Sequence, residues 1–353
     1  MCDDTSHACR LCAKDSECGS GACDLAAGTC VGQAAILYAA AGGSAADPCT
    51  RLSPCSLRQA AELVDADHKY IVLLPGEYTH GAQFSAKTVT IVGSASTINL
   101  TEGFNSLIDI TDGSSVDIRN ITVKNDPEEP NPDIHAVIGI TSSNVNLTGI
   151  QSETHDVMAI MAFNYPPIVI KLRNSTFANN AFSVQNGRVL MDSCLFLAGG
   201  PDIVGSAEIS NSVIVGSDSQ KVLYITSNEP GAPRSNIFNN TFVDGGIYCA
   251  DATGLSYFSG NVFANQGAIP TSAGCEYDYN LVFPNINVGG IGNITGDPLF
   301  ADAANRNFHL RPGSPAIDAA DPAPSSNGHD FDGIPRPQGT RSDIGAFEYV
   351  PAP

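Results

Sequence analysis

One short element recurs along most of this chain: apolar, any, apolar, any, Asn (or Gly or Ser), any, any, apolar. It reads Val116-Asp117-Ile118-Arg119-Asn120 leading to Val123, then Val145-Asn146-Leu147-Thr148-Gly149, then Ile170-Lys171-Leu172-Arg173-Asn174 leading to Phe177. Later copies pass through Ser193 to Phe196, Asn211 to Ile214, Asn239 to Phe242, Gly260 to Phe263 and Asn280 to Phe283. Alternation sends every second side chain to one face of a strand, and Asn or Gly tolerates the left-handed backbone of a sharp corner. The markers lie 18 to 29 residues apart. That spread rejects a strict array of leucine-rich type and suits stacked coils with variable loops.

The expectation is therefore an all-β fold, a right-handed parallel β-helix of about ten coils. With strands stacked at about 4.8 Å, Asn174, Asn211 and Asn239 should form an inward hydrogen-bonded ladder. Phe177, Phe196, Phe242, Phe263 and Phe283 should form an aromatic stack beside it. The copy at Asn280 departs from the rule, because Glu276 and Asp278 stand where apolar residues are expected, and its register is open. Asn120, Asn174 and Asn239 also begin N-x-S/T triplets; the ladder explains them without glycosylation.

The two ends read differently from the coils. Six cysteines, Cys2, Cys9, Cys12, Cys18, Cys23 and Cys30, crowd the first thirty residues, the pattern of a small disulfide-rich module. Zinc is the rival, since Cys9 and Cys12 have ligand spacing; His7 is the only histidine nearby and no second such pair follows. Cys49 with Cys55 and Cys249 with Cys275 are the remaining expected bridges, which leaves Cys194 as a buried thiol. Ser56 to Val64 reads as a short amphipathic helix with Ser56 as N-cap, capping the first coil, Tyr70 to Tyr78, against exposed edge pairing. The expected organisation is a cysteine-rich module over 1–32, a β-helix with its cap over 33–298, and a C-terminal capping module over 299–353.

Disulfides imply export, so Met1 is read as replacing a removed leader and the location as secreted or extracellular surface; lipid attachment at Cys2 is an alternative. No apolar run reaches membrane-spanning length. The formal net charge of −20 repels nucleic acid and anionic membranes, and uronate polymers too unless calcium bridges them. Trp is absent, so Tyr and Phe must serve for any sugar stacking.

The tail carries Ser314-Pro315-Ala316-Ile317-Asp318, Asp330-Phe331-Asp332-Gly333-Ile334-Pro335-Arg336-Pro337 and Asp343-Ile344-Gly345-Ala346-Phe347-Glu348-Tyr349. These stretches resemble the C-terminal region of secreted bacterial parallel β-helix proteins, including those with choice-of-anchor modules. The coil pattern is similar to that of pectate-lyase-like proteins. The resemblance implies the fold; it leaves the activity open, because such stacks serve lyases, hydrolases, epimerases, adhesins and inert surface proteins.

In pectate-lyase-like proteins substrate lies along the sheet preceding the strand that leads to the Asn corner. Here that sheet points Ile138, Ile140, Ile160, Phe182, Val184, Leu223, Ile225 and Ile247 inward. It presents Phe163, Gln185, Tyr224, Thr226 and Tyr248 outward as candidate substrate-binding residues. No carboxylate or base stands among them, whereas hydrolysis needs two carboxylates and elimination needs a base beside a charge neutraliser. The best polar cluster is at the rim, where His155 is a candidate base, Asp156 its orienting partner and His135 a second polar group. A solvated loop edge explains the same residues.

Lys171, Arg173 and Arg119 read as surface cations pairing with Asp117, Asp192 and Glu208. The sequence specifies no cofactor. Calcium held by the acidic loop 126–133, or by Asp330 and Asp332, competes with an extended Pro-rich loop and with a packed turn. The leading expectation is a surface or secreted protein contacting extracellular polysaccharide, weakly or not catalytic. The alternatives are a polysaccharide lyase or glycoside hydrolase, and a structural or adhesive element that binds another surface protein.

Overall fold

The computed structural model of the chain describes residues 11–100, 106–125, 136–154, 158–179, 182–216, 221–227, 233–251, 256–265, 269, 274–323 and 328–351. The chain is a parallel β-solenoid of about 8 turns and forms two compact units, Met1–Met161 and Ala162–Pro353. The turns are fewer than the ten expected. The strand pairs Cys23–Asp24 with Thr29–Cys30 and Phe300–Asp302 with Asn307–Leu310 are antiparallel and add nothing to the stack.

In the first unit, Ile36–Ser44, Tyr70–Leu73, Thr88–Leu100, Ser115–Asn125 and Asn144–Thr148 stack in parallel register. Leu37, Ile71, Ile91, Ile118 and Leu147 fall in one column, and every one is buried. The β-branched alternation of these segments is what lets identical faces superpose. A second column runs Phe84, Ile110, Ile140. The helix Leu57–Leu63 forms as the sequence predicts, with the Ser56 hydroxyl accepting from the Gln59 amide at 3.2 Å.

The cysteine-rich segment lies on the outer side of the first of these ladders. Ala22 packs with Ile36, Tyr38, Val72 and Val92, and Tyr38 Oη donates to the Ser20 carbonyl at 2.9 Å. Cys12 is bonded to Cys23 and Cys18 to Cys30. Cys12, Cys18 and Cys23 converge closely enough to suggest a metal, but their sulfurs are consumed pairwise and offer no thiolate. Cys2 and Cys9 lie outside the described residues. Arg119 is not a surface cation: it is buried, donates to Asp117 and to the Cys23 carbonyl, and lies 3.3 Å from Asp15. Outward alternation placed it correctly, and the segment covering it made it interior.

The second unit has three ladders. One carries Val184, Ile203, Ile225 and Cys249 inward. The next carries Met191, Ile209, Ile237, Phe258 and Tyr277. The third carries Phe177, Phe196, Ile214, Phe242, Phe263 and Val282. The aromatic stack thus exists as two pairs, Phe177 on Phe196 at 5.0 Å and Phe242 on Phe263 at 5.3 Å, interrupted by Ile214. Phe283 is not a member; it sits one position later, beside Ala264. The open register of the last copy is resolved by Tyr277, which is buried and stacks on Phe258 at 4.9 Å. Glu276 and Asp278 flank it on the outer side.

The asparagine ladder is displaced by one residue from its expected members. Asn174, Ser193, Asn211, Asn239, Gly260 and Tyr279 hold the left-handed corner, with φ between 48° and 68°. The ladder is built by the residues after them: Asn240, Asn261, Asn280 and then Asn293. Asn261 Oδ1 accepts from both the backbone and the side-chain amide of Asn240, each at 3.0 Å. Asn280 does the same for Asn261 at 2.9 and 3.0 Å, and Asn293 for Asn280 at 2.8 and 3.0 Å. Ser212 and Cys194 continue the line upstream: the Ser212 amide donates to Asn240 Oδ1 and the Cys194 amide to Ser212 Oγ. Cys194 is the one free cysteine among the described residues, fully buried.

The tail packs sideways on the coils. Phe300, Phe308, Leu310, Ala316, Ile344 and Phe347 cover the outer residues Val213, Val243, Val262 and Leu281. Gly345, at φ +105°, donates to the Gly260 carbonyl at 2.7 Å; a Cβ there would stand 2.8 Å from Val262. The module's centre is an ion pair, Arg336 with Glu348 at 2.7 Å, with neither side chain exposed.

Candidate functional site

The outer column of the first ladder in the second unit reads Ser183, Asp202, Tyr224, Tyr248. Its inner neighbours Phe182, Val184, Leu223, Ile225 and Ile247 are all buried, so alternation fixes which way this column faces. Tyr224 and Tyr248 are stacked with ring centroids 4.6 Å apart and planes 5° apart. That separation is the strand spacing itself, so the pair follows directly from parallel in-register coils. Tyr248 is exposed and Tyr224 half-exposed. Because each ring covers a face of the other, solvent meets the ring edges, the hydroxyls and the outer faces of the pair.

The next outward column is Gln185, Val204, Thr226. Thr226 is buried, so it supports the surface and does not line it. Gln185 Nε2 donates to the Ser183 hydroxyl at 3.2 Å. Phe163, on the strand Met158–Arg173, is 51 % exposed. Among the expected binding residues the structure therefore joins Tyr224 with Tyr248, places Gln185 and Thr226 one column over, and leaves Phe163 open to solvent.

Asp202 was missed. The face was expected to lack any carboxylate, yet Asp202 pairs in register with both Ser183 and Tyr224. Its strand was left out of the expected face because Gly200-Pro201 reads as a loop. Burial, then Tyr248 and the Asp202 carboxylate, raise the Tyr224 phenol above its ordinary range. One carboxylate is still not an acid/base pair, and the arrangement suits hydroxyl recognition better than bond cleavage.

His135, His155 and Asp156 lie outside the described residues, as does the whole of the loop 126–133. Lys171 and Arg173 were expected to pair with Asp192 and Glu208, and they do not. Glu208 pairs with Arg188, and Asp192 lies 3.4 Å from His329. Asp330 and Asp332 are likewise taken. Asp330 accepts the amides of Asp332, Ile334 and Glu348, and Asp332 pairs with His309 at 2.7 Å. These are the contacts of a packed turn, and they leave a cation little to ligate.

The chain is similar to a solved structure titled as that of the pectate lyase Pel9A, at 14% identity and a TM-score of 0.49. The match covers 89% of this chain and 96% of that one. No family model matches the sequence, and no curated protein matches it. The fold stands on the register of the chain's own strands.

Proposed function

We propose that this chain is a secreted or cell-surface protein that contacts polysaccharide along the column Asp202–Tyr224–Tyr248, with weak or absent turnover. The observation that carries the reading is the parallel-stacked tyrosine pair, with Tyr248 exposed and Tyr224 half-exposed. It is a rigid amphipathic surface with two hydroxyls one strand spacing apart, built at low entropic cost because the sheet holds both rings. The bonded cysteine pairs support an oxidising compartment. A net charge of −20 favours neutral glycans or calcium-bridged uronates over free polyanions.

A glycan-binding screen run beside product-release assays, with and without calcium, tests this. Tyr248→Ala should weaken binding of the preferred glycan about tenfold, near 1.4 kcal/mol, with no change in folding. If cleavage accompanies binding, His155 is the proposed base, oriented by Asp156 with His135 beside it, and His155→Ala should abolish it. Cleavage that survives that substitution removes the trio from consideration. Absence of any glycan binding moves the function to the adhesive or structural class.

A further inference from the structure

We infer that the tyrosine column selects glycans bearing free primary ammonium groups, such as oligomers and polymers of de-N-acetylated hexosamine, over their neutral counterparts. This rests on the glycan contact proposed above and names the substrate class of that same site. The column runs Asp202, Tyr224, Tyr248 on successive coils. Tyr248 covers one face of the Tyr224 ring, with centroids 4.6 Å and planes 5° apart. That separation matches the strand spacing, so the stack runs along the column and the other face of Tyr224 is turned toward Asp202.

A cation resting on that face meets two attractions at once. The negative face of an aromatic ring draws an ammonium group, and a carboxylate one strand away accepts its N–H donors in charge-assisted hydrogen bonds. Burial, then Tyr248 and the Asp202 carboxylate, hold the Tyr224 phenol protonated, so the ring stays neutral beside the bound charge. Asp202 is half-buried, Tyr224 half-exposed and Tyr248 exposed, which leaves the position open to a ligand approaching from outside. The outward column beside it, Gln185, Val204 and Thr226, is uncharged. Asp202 therefore carries the only formal charge of the two columns.

The charge of the whole chain acts in the same direction. At a formal net charge of −20, a cationic polymer is steered toward the surface and an anionic one away from it. Such long-range attraction is unspecific and favours any polycation. The tyrosine pair adds a demand for a ring to stack and hydroxyls to bond. A neutral sugar keeps the ring contact and loses the charge, whereas a basic peptide keeps the charge and loses the ring. The amino sugar uses both.

Calorimetric titration of the full chain with glucosamine oligomers, the same oligomers N-acetylated, and oligolysine of equal charge tests this, at mildly acidic pH where the amines are protonated. The glucosamine oligomers should bind about tenfold more tightly than the acetylated ones or oligolysine. Asp202→Asn, which is isosteric and checked for folding by circular dichroism, should bring the free and acetylated oligomers to equal affinity. Tyr248→Ala should weaken both. Glu276→Gln, which removes an exposed carboxylate from another ladder of the same unit, should change neither. Equal binding of the two oligomers by the native chain, a preference that survives Asp202→Asn, or an equal loss in Glu276→Gln would overturn the inference and leave glycan contact standing. Oligolysine binding as tightly as the amino sugar would overturn it too. Absence of binding to every glycan tested would remove the reading it rests on as well.

Discussion

The cysteine-rich segment and the tail meet the same physical problem and solve it with different chemistry. Each is loop-rich, too short to bury a core of its own, and each borrows an outer sheet face to do so: Val72 and Val92 for the first, Val213, Val262 and Leu281 for the second. The cysteine-rich segment ties its loops covalently, with two bridges closing 11 and 12 residues. The tail has no cysteine. It uses carboxylates as backbone caps: Asp330 and Asp343 each accept amides on both oxygens, and Glu348 accepts the amides of Asp343 and Gln338 while pairing with Arg336. Covalent closure acts mainly on the unfolded chain, whereas buried charge acts on the folded one. The two ends should therefore fail under different stresses.

The largest contrast comes from Glu348→Gln. It leaves the Arg336 guanidinium buried without its counter-ion, a loss of about 3–5 kcal/mol. Hydrogen exchange should rise across 299–351 and stay flat over 11–32. The converse lesion, Cys12→Ser with Cys23→Ser, removes a bridge worth about 3 kcal/mol by loop-closure entropy; exchange should then rise over 11–32 alone. A reductant that loosened the tail as much would break the comparison.

Asn261→Leu sharpens it from the coil side. The substitution strips the ladder acceptor from Asn240 directly beneath Val262 and Gly260, at roughly 1–3 kcal/mol for each polar group left unpaired. Denaturant unfolding should show the loss, and the tail should loosen because its platform has. The smallest effect is that of pH. Burial lifts Asp343 to about 6, above its unfolded value near 4, so the folded state binds the proton more tightly. Stability from this group is then greatest below the unfolded value and declines as pH rises through about 6, by at most about 1.4 kcal/mol per pH unit. Asp343→Asn should flatten that slope; an unchanged slope would assign it to another group.

The coils were legible because period-two alternation is written locally, as Leu37, Ile71, Ile91, Ile118 and Leu147 show. Register was less so. Corner and ladder residues are neighbours, and in Asn239-Asn240 both are asparagine, so the pattern fits either alignment until hydrogen bonds choose. Phe283 was taken for Val282 for the same reason. The burial of Arg119 was beyond reach, since it depends on a segment far away in sequence that folds over it; the Arg336–Glu348 pair is enclosed by the tail's own loops, which carry no periodic pattern to announce it. The candidate site was half legible: the tyrosines follow from alternation, whereas Asp202 begins a strand directly after Gly200-Pro201, which reads as a loop.

The free cysteine gives the ladder a practical use. Cys194 occupies a ladder position, has no surface exposure, and burial pushes its thiol up to about 12. In the closed state the thiol is held protonated and unreactive at neutral and mildly alkaline pH. An alkylating reagent therefore reads how often this turn of the solenoid breathes open, with no engineered label and no competition from the bonded sulfurs. The same concealment keeps an unpaired sulfur from exchanging with the bridge between Cys249 and Cys275.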